Sequence, residues 1–249
     1  MLYGLGETRS SLKANHLLQT PDTFIRIPLP GAIGVEFVVH TAPRLGAAFT
    51  QMTAEFGKDG TLAPLAAGVQ RFVYVLEGSL DLEVAGGHNR LEAGKFAFVP
   101  SGIAHTVRAL ETARAVVIEK RYEPVAGSDS GVGFVAGDEA ELASEPLGGD
   151  PGLQVRRLMP DGQAWDFAVN TMTYEPGAAL AMVEVHVMEH GLLMLEGGGI
   201  YRLGDCWYPV AAGDFIWMAP YCPQWFGALG KTAAKYLIYK DWFRHPLGE

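Results

Sequence analysis

The residue types in this chain best suited to chemistry lie together in Val183-Glu184-Val185-His186-Val187-Met188-Glu189-His190. In an extended strand, side chains alternate faces with period 2. Glu184, His186 and His190 then share one face with Met188 between them, and Val183, Val185 and Val187 share the other. Buried polar groups are costly without partners, so one carboxylate and two imidazoles on a strand with an apolar reverse side call for a ligand. A divalent metal ion is the natural candidate, because imidazole and carboxylate donors together suit such ions.

The elements that would hold this face belong to a duplicated unit. Leu76-Glu77-Gly78 recurs as Leu195-Glu196-Gly197, an offset of 119 residues; Ala93-Gly94 recurs as Ala212-Gly213 and Phe96 as Phe215 at the same offset. Each copy reads as short alternating strands broken by glycine-rich turns. The first has Phe72 to Leu76, Leu80 to Val84 and Lys95 to Val99; the second has Leu192 to Leu195, Ile200 to Leu203 and Asp214 to Met218. Many short strands with regular turns predict an all-β sandwich or barrel, and the period is too long for a solenoid repeat. The expected order is an N-terminal arm over residues 1–30, a first barrel over 31–128, a linker over 129–150 and a second barrel over 151–249. In the linker, Gly127-Ser128-Asp129-Ser130-Gly131 signals a loop at its start, and Asp138 to Ser144 is read as one short helix.

Composition narrows the class. The chain has 249 residues, 49% hydrophobic and 19% charged, as expected for globular domains with sizeable cores. A net charge of −9 with no basic run argues against nucleic acid as a partner. The N-terminus carries no apolar signal segment, and no run reaches the roughly 18 apolar residues of a membrane span. The two cysteines, Cys206 and Cys222, imply no disulfide framework. A cytoplasmic protein is therefore expected. Cys222 has no histidine base near it in sequence and reads as a packed free thiol.

These residues resemble the cupin superfamily, which implies two tandem double-stranded β-helix barrels, a bicupin. The second copy keeps the spacing of the first cupin motif with altered letters: Glu184 and His186 at the histidine positions, His190 at the glutamate position, and Gly197 closing it. In its second motif Gly213 is kept and Gln224 stands at the histidine position. The implied ligand set is Glu184, His186, His190 and Gln224. The first copy keeps Gly94, Pro100, Gly102 and His105, but its other ligand positions fall on Leu65, Ala67 and Arg71. It is expected to be a metal-free scaffold, with His105 a core or pocket histidine bonded to its neighbours.

The permuted ligand set is similar to that of the (S)-ureidoglycine aminohydrolase family, manganese-dependent bicupins of allantoin and purine catabolism. Pro43-Arg44-Leu45-Gly46-Ala47-Ala48-Phe49, Lys120-Arg121-Tyr122-Glu123-Pro124-Val125 and Glu189-His190-Gly191 extend the resemblance along the chain. It implies pocket roles for Tyr201, Tyr236 and Lys240, release of ammonia from (S)-ureidoglycine to give (S)-ureidoglycolate, and Mn(II) as the metal. The donor types alone admit Fe(II), Ni(II) or Zn(II) equally. Glu184, Lys240, Tyr201 and Tyr236 are the expected catalytic set: Lys240 to pair with a substrate carboxylate, Tyr201 to bond the ureido group, and Glu184 as one candidate for proton traffic. A homo-oligomer acting on a small ureide is expected. Two other readings stay open: a non-haem Fe(II) dioxygenase, since two histidines and a carboxylate also make a facial triad, and a non-enzymatic small-molecule-binding cupin.

Overall fold

The computed structural model describes residues 7–125 and 132–241. The loop signal Gly127 to Gly131 lies outside them. The described residues are almost wholly strands joined by turns, with four single-turn 3-10 helices, so the all-β expectation holds. Glycine explains the repeated turns. Gly78 and Gly197 both sit at positive φ (73° and 63°), and an added Cβ would collide with the Thr112 and Ala233 carbonyl oxygens respectively. The recurring Leu-Glu-Gly is thus a backbone requirement at one equivalent turn in each copy.

The chain divides into two compact units, one holding residues 1–24, 143–160 and 167–249, the other 25–142 and 161–166. This division is less linear than an arm, barrel, linker and barrel in series. In the expected linker, Val135–Asp138 pairs with Lys95–Val99 in the second of these units, while Glu145–Pro146 pairs with Leu153–Arg157 in the first. The helix expected over Asp138 to Ser144 shortens to the 3-10 turn Glu139–Glu141, capped by the Asp138 carboxylate accepting from the Ala140 amide.

The unit that contains the chemistry-bearing residues is built on a sheet in which His16–Gln19, Phe215–Met218, His190–Glu196, Ala234–Lys240, Ala168–Tyr174 and Leu153–Arg157 lie side by side. A smaller sheet, Cys206–Ala211, Gly198–Leu203 and Gln224–Ala228, faces the same core. That core is rich in aromatics: Tyr174, Tyr201, Tyr236 and Phe226 are all buried. The N-terminal strand His16–Gln19 covers the edge of Phe215–Met218, with Leu18 fully buried.

In the other unit, Met52, Ala54 and Phe56 alternate inward from Thr50–Thr61 onto Val73, Val75, Ala115 and Val117. Phe72, Phe96, Phe98, Val116 and Ile118 are buried on the opposite face of these strands. Burial on both faces accounts for near-continuous apolar runs such as Val116-Val117-Ile118. Asp166 is tied into this unit by Lys120 Nζ at 2.9 Å, by the Glu123 amide at 2.9 Å and by Gln70.

Candidate metal and substrate site

Residues 181–189 do not form the expected strand. Glu184 makes an isolated bridge to Gln224, with reciprocal backbone bonds of 2.8 and 2.9 Å. The His186 carbonyl accepts from the Tyr221 amide at 2.8 Å, and regular pairing resumes only at His190, opposite Met218 and Lys240. On the apolar reverse side Val185 is 58% exposed, while Val183 and Val187 are half-buried. The segment lacks a continuous partner strand and is pinned at Glu184 and His186 instead. The alternation nevertheless survives: Glu184, His186, Met188 and His190 all line one cavity of about 400 Å³.

In that cavity His186 Nε2 lies 3.3 Å from His190 Nε2, 2.7 Å from Gln224 Nε2 and 3.9 Å from Glu184 Oε2. His190 Nδ1 lies 3.2 Å from the Tyr239 carbonyl, which only accepts, so Nδ1 carries the proton and Nε2 presents a lone pair. Burial pushes the His190 imidazolium pKa down to about 3, so the ring is neutral. Nearby, the Glu189 carboxylate accepts from Trp217 Nε1 at 2.7 Å, and the Glu189 amide donates to Asp241 at 2.6 Å, fixing the turn into His190.

Do these residues fit a metal ion? Two imidazole nitrogens facing each other inside a buried pocket need a shared proton or a cation between them. Donors about 2.1 Å from one octahedral ion stand about 3.0–4.2 Å apart, which spans the 3.3 and 3.9 Å separations. Gln224 fits after a turn of its amide, because Nε2 now faces His186 while Oε1 accepts from Tyr201 at 3.4 Å. Among the described residues, no three His, Cys, Asp or Glu side chains form a tight cluster unaided. The reason is visible in the donor set, whose fourth member is an amide and whose carboxylate is half-exposed and reaches inward only to 3.9 Å. The chemistry of the set fits a divalent cation.

The expected pocket residues are brought together. Tyr201, Tyr236 and Lys240 line the same cavity as the four donors. Burial holds both phenols well above their usual range, so both stay protonated donors. The Glu184 carboxyl is raised by burial, against the pull of His186 and Lys240. Cys222 is buried, its thiol pushed up by burial and donating to the Pro223 carbonyl at 3.6 Å, as a packed thiol would be. Sequence reasoning missed Asn170 and Tyr174. With its amide turned to satisfy both ends, Asn170 Oδ1 accepts from Lys240 Nζ at 3.2 Å. The available signal was an asparagine inside an otherwise strand-like run, since a buried amide needs a partner.

At the equivalent place in the other unit, Arg71 stands where the offset puts His190. Its guanidinium donates to Glu119 Oε1 (2.9 and 2.6 Å), to the Ala63 carbonyl (2.8 Å) and to His105 Nε2 (3.1 Å). His105 Nδ1 is bonded to the Ile103 carbonyl at 3.0 Å. A fixed cation with its own counter-ion thus occupies the position a metal would need.

Comparison with known proteins agrees with this architecture. A family model described as a cupin domain matches residues 63–119 and 170–239. The chain is 40% identical over 243 residues to a rice (Oryza sativa subsp. japonica) protein named probable (S)-ureidoglycine aminohydrolase, covering 97% of this chain and 78% of that one. It is 39% identical to the (S)-ureidoglycine aminohydrolase of Arabidopsis thaliana, covering 97% of this chain and 80% of that one. A solved structure of a putative glyoxylate-induced protein from Pseudomonas aeruginosa superposes with a TM-score of 0.87 at 28% identity, covering 96% of this chain and 92% of that one. Likeness of that extent, on a duplicated cupin fold, means that the chain belongs to the (S)-ureidoglycine aminohydrolase family of cupins.

Proposed function

We propose that this protein is a metal-dependent (S)-ureidoglycine aminohydrolase, which releases ammonia from (S)-ureidoglycine to give (S)-ureidoglycolate. The observation that carries the reading is the pair of facing imidazole nitrogens, 3.3 Å apart, in a cavity also lined by Glu184, Gln224 and Lys240. Its relatives' shared activity supports the same reading and does not favour the dioxygenase or the non-enzymatic one.

The reaction breaks the bond from the central carbon to the amino group and forms a bond from that carbon to a water oxygen. The neighbouring ureido nitrogen can assist departure of the amine with its lone pair, leaving a carbon–nitrogen double bond in the substrate to which water adds. The leaving amine gains a proton and water loses one, so the site needs an acid and a base. Glu184, His186, His190 and Gln224 would hold the metal, and a divalent cation there supplies positive charge for anchoring and polarising oxygen and nitrogen donors. Lys240, steadied by Asn170, pairs with the substrate carboxylate. Tyr201 and Tyr236 donate hydrogen bonds to the remaining substrate oxygens. Glu184, raised by burial, is a candidate for proton traffic, although ligation to a cation makes a carboxylate a weaker base.

Manganese is the proposed metal, by family resemblance; the proposed setting is the cytoplasm, supported by two free cysteines, and the proposed assembly is a homo-oligomer. The test of the function is stereochemical. Mn(II)-loaded protein is given fresh ureidoglycine, and the ureidoglycolate is resolved by enantiomer. Fast, metal-dependent formation of the S enantiomer is expected. Racemic product at the rate without enzyme, from protein shown to hold its metal, rejects the reading.

A further inference from the structure

Tyr174 ends the strand Ala168–Tyr174 and is fully buried, and its hydroxyl lies 2.7 Å from the hydroxyl of Tyr236. Tyr236 lines the candidate cavity; Tyr174 stands behind it and does not. Its ring is fixed by an edge contact with Phe226 at 4.9 Å and a tilted contact with Tyr236 at 5.5 Å. Burial keeps both phenols protonated.

Two hydroxyl protons therefore meet at one short oxygen–oxygen contact, and only one of them can occupy it. If Tyr236 donated, the Tyr174 proton would be left inside an apolar core, where the described residues offer its hydroxyl no partner other than Tyr236. An unpaired buried donor is the costly outcome. If Tyr174 donates, its proton is satisfied, the Tyr236 oxygen accepts, and the Tyr236 proton turns out into the cavity. We infer that Tyr174 is a positioning residue that fixes Tyr236 as a hydrogen-bond donor to an acceptor oxygen of the bound ureide. The direction of the bond is inferred from the burial of Tyr174 and its single hydroxyl partner; the identity of the acceptor rests on the aminohydrolase reading.

The experiment has two arms. In the unaltered protein with ring-labelled tyrosine, NMR should find a slowly exchanging hydroxyl proton on Tyr174 and none on Tyr236. A slowly exchanging proton on Tyr236 overturns the inference, whatever the protein's activity. In the second arm, ureidoglycine turnover is compared for wild type, Tyr174→Phe, Tyr236→Phe and the double variant, each checked for metal content and melting temperature. Tyr174→Phe should lower kcat/KM about tenfold, and the same substitution in the Tyr236→Phe background should change it by less than about twofold, because the proton it orients is gone. Wild-type kcat/KM in Tyr174→Phe, or an equal loss in both backgrounds, overturns the inference. An inactive wild type with the expected proton pattern rejects the aminohydrolase reading and leaves the positioning role standing.

Discussion

The chemistry of single residues in this site is set by burial and by one or two close partners. His190 is neutral because it is buried, and burial outweighs the opposing pull of the Tyr239 carbonyl on its Nδ1–H, which fixes the tautomer. His190→Ala or Glu184→Ala should therefore abolish stoichiometric metal and activity while circular dichroism shows a folded protein; full metal content in both variants would remove them from the ligand set. Lys240 has a different proposed task, pairing with the substrate carboxylate. Lys240→Ala should keep the bound metal but raise KM about 10- to 100-fold, the loss expected for a charge-assisted bond, and an unchanged KM would exclude it from substrate binding. His40, in the other unit, is fully buried, with Nε2 2.8 Å from Thr53 Oγ1, and burial lowers its pKa to about 3. In the unfolded chain it titrates near 6.5, so between pH 6.5 and 3 the unfolded state binds a proton that the folded state refuses. Stability from this residue is complete above pH 6.5 and falls as pH drops through that window, by about 1.4 kcal/mol per unit. Between pH 7 and 5.5, His40→Gln should lose about 1 kcal/mol less stability than wild type, measured by urea unfolding at each pH; parallel losses would contradict the burial argument.

At the scale of elements, the site depends on strands that present donors from several directions. Ala234–Lys240 carries Tyr236 and Lys240 on one face and pairs on its two sides with His190–Glu196 and Ala168–Tyr174, so it brings His190 and Asn170 to Lys240. The 181–189 segment contributes Glu184 and His186 without being a strand, through its backbone bonds to Gln224 and Tyr221. On the far edge of the same sheet, His16–Gln19 shields Phe215–Met218. Leu18→Ala should cost about 2–5 kcal/mol, the usual range for a buried leucine, visible as a lowered urea midpoint; a loss under about 0.5 kcal/mol would mean that the arm adds no packing. Removing residues 1–24 should expose that edge and promote aggregation, read by light scattering.

For the whole molecule, duplication has produced two units with different centres. One gathers two imidazoles, a carboxylate and an amide; the other holds Arg71, Glu119 and His105 in a closed set of hydrogen bonds. One metal ion per chain is the expected stoichiometry by elemental analysis, and two would contradict the Arg71 argument. Much of this was legible in the sequence. The 119-residue offset is visible because the turns at Gly78 and Gly197 admit little besides glycine, and strand alternation is visible because one face of each strand is buried. Glu184, His186 and His190 could be grouped because period-2 alternation is local geometry, and it persisted even where the strand did not form. The sequence could not reveal that Val185 faces outward, since an alternating pattern does not show whether a partner strand lies beside it. Nor could it reveal Asn170 beside Lys240 or Tyr174 behind Tyr236, which are 70 and 62 residues apart. Local pattern and steric need at single turns are written in the chain itself; which buried donor meets which acceptor is decided only when strands distant in sequence pair in a particular register.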